Sequence, residues 1–169
     1  VPWLPRQRIE GIASEVISAY EAQTGRRAAP PVPVEDVIES GLGLRLAFED
    51  LRRRFRMDDV LGATYVRTRT ICADTSLERP EAEGRLCFTL AHEAGHWVLH
   101  RGFVASAHRE GGLIFCRTRD AKKPVEWQAD CFAACLLMPA LHVREAFARA
   151  CGPEPLVLHN VESAYAGPI

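Results

Sequence analysis

Leu90-Ala91-His92-Glu93-Ala94-Gly95-His96-Trp97-Val98-Leu99 is an apolar, helix-compatible run that carries H-E-x-x-H at His92 to His96. On a helix, residues four apart leave the same face one turn apart. Two neutral imidazoles so placed can grip one zinc ion, and the intervening Glu93 stands where it can take a proton from metal-bound water. Apolar positions Leu86, Leu90, Ala94 and Val98 extend the pattern, so a helix is expected from Glu83 or Arg85 to His100, ended by Arg101-Gly102.

A hydrolytic zinc site needs three protein ligands and one open position. His100 is the nearest further histidine. It lies eight residues from His92, about 12 Å along the helix axis. One ion with bonds of about 2 Å cannot close three successive turns of a straight helix. His100 therefore reads as a helix-end histidine, where the macrodipole would favour a cation. The second helical stretch offers Glu126 and Asp130, four residues apart on one face. Glu126 is the expected third ligand. Asp130 can accept the free ring N–H of a ligating histidine and fix its tautomer. The plainer reading makes both solvated helix charges. The apolar neighbours of Asp130 (Ala129, Cys131, Phe132, Ala133 and Ala134) count against it.

The rest of the chain frames these two helices. Its 169 residues suffice for one compact domain, and 47 % hydrophobic with 25 % charged residues is ordinary globular usage. A net charge of −1 argues against direct nucleic-acid binding over the whole surface. No apolar run approaches the ~20 residues that span a bilayer, and no signal core is present. The start at Val1, without an initiator Met, implies a processed chain or a fragment. Six scattered cysteines, none in C-x-x-C, read as buried apolar residues of a reducing, cytoplasmic compartment. Cys131 and Cys135 could instead share a second metal, but no further ligand pair lies nearby.

Upstream, Arg8 to Gln23 reads as an amphipathic helix and Val34 to Ser40 as a short one. Strands are expected at Leu44–Phe48, Leu61–Arg67 and Thr70–Asp74. Arg52 to Asp59 reads as a charged turn or loop whose arginines are solvated or meet an acidic partner. Leu113–Arg117 is a short strand candidate. Val125–Met138 and Ala140–Cys151 read as helices. The fold expected is α+β: a small three-stranded antiparallel sheet packed on a helical bundle that carries H-E-x-x-H. It forms a single domain over 1–169. Residues 8–75 supply the first helices and the sheet, 84–151 the zinc-binding helical half, and 152–169 an irregular tail. Gly95 costs ~1 kcal/mol relative to Ala in mid-helix, so either another backbone, such as a strand, passes close to it or the residue is drift.

Two longer motifs then match one family. Phe88-Thr89-Leu90-Ala91-His92-Glu93-Ala94-Gly95-His96 resembles the F-T-x-A-H-E-x-G-H signature of the ImmA/IrrE-type metallopeptidases. Glu126-x-x-Ala129-Asp130-x-Phe132-Ala133-Ala134-x-Leu136-Leu137-Met138-Pro139 resembles their E-x-x-A-(N or D)-x-F-A-x-x-L-L-M-P. Pro33-Val34-x-x-Val37-Ile38-x-x-Gly41-Leu42 fits the helix before the first strand, so the likeness covers roughly residues 8 to 145. Leu86-Cys87 stands where a basic pair is usual, and no DNA-binding helix-turn-helix is visible.

The resemblance implies a thermolysin-like zincin core and a cytoplasmic zinc protease that cuts a helix-turn-helix transcriptional repressor. It implies Zn²⁺ on His92, His96 and Glu126, with Glu93 as catalytic base. A donor for the developing oxyanion is also required. Tyr65, His108 and His142 qualify by residue type, and each also reads as an ordinary polar side chain. An extended peptide could add along the small sheet's edge. Two other readings stay open: a catalytically silent sensor or interaction module with the same fold, and a structural zinc domain. Intact Glu93 favours the enzyme over the first. An open coordination site disfavours the second, since structural sites are usually closed by Cys.

Overall fold

The structure is a computed structural model that describes residues 1–106, 113–117 and 124–152. It falls into two compact units, Val1–Pro139 and Ala140–Ile169. In the second, one helix is described, α7 (Ala140–Cys151). Residues 153–169, most of the expected tail, lie outside the described residues.

The first unit opens with α1 (Arg6–Thr24), which buries Ile9, Ala13, Ile17 and Tyr20. These positions recur every three to four residues, the helical period. Gly25, at φ 68°, ends the helix in the left-handed conformation that glycine adopts without strain. A short helix α2 (Val34–Asp36) continues as a wider π turn, Val37–Gly41. Asp36 ties α2 to α1. Its carboxylate accepts from Tyr20 Oη at 2.6 Å, Ser40 Oγ at 2.6 Å and Arg26 Nη1 at 2.7 Å. Those hydrogen bonds, from Ser40 first, hold its pKa at about 2 against an ordinary 3.8. A depressed folded-state pKa gives stability that is present above the unfolded value and lost as pH falls through the folded one. The melting-temperature gap between the parent and Asp36→Asn is therefore expected to be full above pH 3.8 and to close as pH drops through about 2. A gap independent of pH would remove this carboxylate from the account.

The sheet has four strands in the order β1-β3-β2-β4: β1 (Arg45–Glu49), β2 (Val60–Tyr65), β3 (Thr70–Asp74) and β4 (Leu113–Arg117). β2 is antiparallel to β3 and β4, but β1 runs parallel to β3. The expected three-stranded antiparallel sheet is thus corrected to a mixed one of four. The reason lies between β1 and β2. There the chain forms a helix, α3 (Leu51–Phe55), where the charged composition suggested a loop. That crossover lets β2 skip one place, and the β2–β3 turn then brings β3 back beside β1.

Two carboxylates hold α3. Asp50 caps it locally through Arg53 N at 3.0 Å. Asp74, from the end of β3, accepts from Leu51 N at 2.9 Å and Arg52 N at 3.3 Å. Free backbone donors and the helix dipole both favour an anion at that end. Two arginines of the basic cluster are engaged internally, Arg54 with Glu49 and Arg52 with Asp74.

Side-chain alternation gives the sheet two apolar faces. Ile71 and Ala73 join the main core, and Cys72 joins a smaller cluster with Leu51, Val60 and Ala63 under α3. On the main face lies α4 (Glu83–Gly95), followed by a π turn, His96–His100, and α5 (Arg101–Ser106). The helical path does not stop at Arg101-Gly102 as expected. α6 (Pro124–Leu137) packs on α4 and is itself covered by α1. Leu90, Ala91 and Ala94 of α4 meet Phe132, Ala133 and Leu136 of α6 in the same core. Among the described residues no single helix is long and apolar enough to cross a membrane.

Candidate metal centre

α4 and α6 approach each other closely at Gly95. A Cβ there would stand 3.1 Å from Phe132 Cδ1 and 3.2 Å from both Cα and O of Ala129. Another backbone does pass close to Gly95, and it is that of a helix, α6, where a strand was the example the sequence suggested. This proximity brings the two polar faces together. His92 Nε2 and His96 Nε2 are 2.9 Å apart, and Glu126 Oε2 lies 3.2 Å from the first and 3.5 Å from the second. The three side chains are 4 %, 0 % and 7 % exposed.

Donors bound tetrahedrally at 2.0–2.1 Å would be separated by about 3.3 Å. The observed spacings bracket that value, and two nitrogens with one carboxylate oxygen is a donor set zinc accepts. The buried group is therefore compatible with one metal ion. Burial pushes the Glu126 carboxyl up, but hydrogen bonds and charge from His92 and His96 outweigh it and bring the pKa to about 2. Asp130, one turn further along α6, places Oδ1 2.8 Å from His92 Nδ1. That side chain is 42 % exposed, and it has in His92 the partner that its apolar neighbours called for.

Glu93 points from the same turn of α4 towards the sheet and is fully buried. Its Oε2 accepts from Thr64 Oγ1 at 2.6 Å, while Oε1 is buried with no hydrogen-bond partner among the described residues. Burial raises its pKa, with His96, His92 and Thr64 pulling the other way. The sheet makes room for it. A β-bulge between Val60 and Gly62 breaks strict alternation, so Leu61 packs towards the main core and Gly62 faces α4. A Cβ on Gly62 would sit 2.6 Å from Glu93 Oε1, 2.8 Å from its Cγ and 2.9 Å from Thr89 Cγ2. Gly62→Ala is expected to cost about 1–3 kcal/mol, the usual range for overpacking, and to displace the Glu93 carboxylate. Urea denaturation and any activity assay would both register it; an unchanged midpoint would show that the approach is looser than these distances.

A family model described as the IrrE N-terminal-like domain, a peptidase family, matches residues 53–152 of the 169. The chain belongs to the ImmA/IrrE-type metallopeptidase family. No curated protein sequence matches it. The stretch matched to the ImmA/IrrE-type model runs from α3 through α7 and includes His92, Glu93, His96, Glu126 and Asp130.

The other sequence-derived candidates lie elsewhere. Tyr65 ends β2 on the α3 side of the sheet, with the Arg54 guanidinium 5.3 Å from its ring centre. Strand alternation directs it away from Thr64 and Glu93, so it cannot serve as an oxyanion donor beside them. His142 is on α7 in the second unit, and His108 lies outside the described residues. Cys72, Cys87, Cys131, Cys135 and Cys151 are free thiols. Cys135, half-buried beside Cys131, has its pKa pushed up to about 11, mainly by desolvation, as expected of a protonated thiol.

His100 requires a correction. It is fully buried, not a helix-end cation. Burial first, then His96, lowers its pKa to about 4, so it is neutral at pH 7. The π turn carries it inward, and the helix continues past it as α5. Sequence reasoning also missed Thr64, Gly62 and Gln128. A glycine inside an apolar strand pattern is a signal of close backbone approach, and Leu61-Gly62-Ala63-Thr64 carries it.

Proposed function

We propose that the protein is a zinc-dependent endopeptidase with a thermolysin-like core. Its substrate would be a helix-turn-helix transcriptional repressor of a stress-response or mobile-element system in the cytoplasm. The observation that carries this reading is the division of labour on one helical turn. His92 and His96 converge with Glu126, while Glu93, on the same turn, keeps a buried Oε1 with no hydrogen-bond partner among the described residues.

Zinc held by His92, His96 and Glu126 would polarise a peptide carbonyl and acidify water. Glu93 would take the proton of the attacking water at Oε1 and pass it to the leaving amine. Thr64 holds the other oxygen, Oε2, and so fixes which one is free. Asp130 keeps His92 protonated at Nδ1, leaving Nε2 with its lone pair for the ion. β1 and β4 are the sheet edges, and β4 pairs with β2, the strand that carries Thr64. A substrate strand would add beside β4, giving main-chain hydrogen bonds without demanding a particular sequence.

The test combines metal content with cleavage. Purified protein is expected to hold one zinc per chain and to cut a helix-turn-helix repressor encoded near its own gene. Chelation should abolish cutting and added zinc restore it. Bound zinc with no cleavage of any such repressor would leave a sensor or interaction module with this fold.

A further inference from the structure

His92 is backed by an acid, but His96 is backed by another histidine. His96 Nδ1 lies 3.0 Å from His100 Nδ1, His100 Nε2 lies 3.3 Å from Gln128 Oε1, and Gln128 Nε2 donates to the Pro2 carbonyl at 3.1 Å. His96, His100 and Gln128 are each fully buried. Buried polar groups persist where their partners satisfy them, and every link here has one.

The far end sets the direction of the whole chain. A backbone carbonyl can only accept, so the Gln128 amide must turn its NH₂ to Pro2 and its oxygen to His100. That oxygen also only accepts, so His100 carries its proton on Nε2 and leaves Nδ1 bare. A bare Nδ1 on His100 requires the proton between the two rings to sit on His96 Nδ1. His96 Nε2 is then left with its lone pair, facing His92 Nε2 and Glu126 Oε2.

We infer that His100 is a positioning residue for His96, locked by Gln128 and the Pro2 carbonyl so that His96 presents Nε2 to a metal. This deepens the zinc reading above and rests on it for the identity of the bound ion. The device differs from the carboxylate behind His92. Both rings are fixed as Nε2 ligands, but one by an anion and one by a neutral relay. The site thereby receives one outer negative charge instead of two.

Nitrogen-15 NMR of the histidine rings at neutral pH reads the tautomers in the full chain without any substitution. His96 should be protonated at Nδ1 and His100 at Nε2, with His100 Nδ1 bare, already in metal-free protein. Zinc affinity, measured by chelator competition, supplies the second readout. Loss of an outer partner typically costs about 10–100-fold in metal affinity, so His100→Phe is expected to fall in that range. Gln128→Glu, which keeps an acceptor towards His100, should stay within about threefold of the parent, whereas Gln128→Leu should not. If His100→Phe fails to fold, the two Gln128 variants and the ring assignment still decide. A proton on His100 Nδ1, or a folded His100→Phe with parental affinity, would overturn the inference. Should the parent take up no zinc, the metal reading fails, while the ring assignment still tells whether the relay orients His96.

Discussion

Glu93→Gln is expected to leave zinc content unchanged and to lower peptide hydrolysis by about 100- to 10,000-fold, the usual worth of a positioned general base. Gln has nearly the same shape, and its amide oxygen can still accept from Thr64, but it cannot take a proton. The same substitution should raise the melting temperature of the metal-free protein. The parent buries a carboxyl whose Oε1 has no hydrogen-bond partner among the described residues, and its pKa is raised above the ordinary 4.5. A raised folded-state pKa means that the folded protein prefers the neutral acid. That preference is fully expressed below 4.5 and is lost as pH rises through the folded value. The stability gain of the Gln variant should therefore grow with pH above 4.5 and then level off. Calorimetry across pH, beside a cleavage assay, checks both halves. Cleavage within about threefold of the parent, far from the 100-fold or more expected of a base, would remove Glu93 from the chemistry.

Glu126→Ala is expected to strip the metal and, with it, all cleavage. Glu126 is the one carboxylate among the three converging side chains, and its lowered pKa, about 2, keeps it ionised at neutral pH. Two imidazoles on one helix would remain. The loss in zinc affinity should exceed the ~10–100-fold that follows removal of an outer partner. Glu126→Asp keeps the charge but withdraws it by one methylene, so it should fall between parent and Ala. Zinc measured after gel filtration gives the answer directly. One equivalent retained by Glu126→Ala would mean that the ion sits elsewhere.

Most of the convergent group could be read from the sequence because each half of it is local. His92 and His96 share a face by helical arithmetic alone, and so do Glu126 and Asp130. The apolar positions around both pairs then demand that the two helices pack. What could not be read depends on contacts far apart in the chain. Thr64 meets Glu93 across 29 residues, through a strand register and a bulge that no window of sequence reveals. α3 was hidden because part of its N-terminal support, Asp74, arrives from the end of β3. β1 was expected in an antiparallel sheet because nothing in its residues records that it would run parallel to β3. The environment of His100 was misjudged for a related reason. A glycine after a basic residue resembled a helix end, but the continuing helix buried the ring.

Trp3 and Trp127 stack with ring centres 4.8 Å apart and planes inclined by 18°. Trp127 sits between Glu126 and Gln128 in sequence, so this pair of indoles is a built-in optical gauge of how the first residues rest on α6. Electronic transitions of two indoles at that separation couple, and the coupling should appear as a paired band in far-ultraviolet circular dichroism. Trp3→Ala is expected to abolish the band while sparing the helical signal. In the parent, its fading during gentle heating would report the release of that segment from α6 before the remainder of the molecule melts.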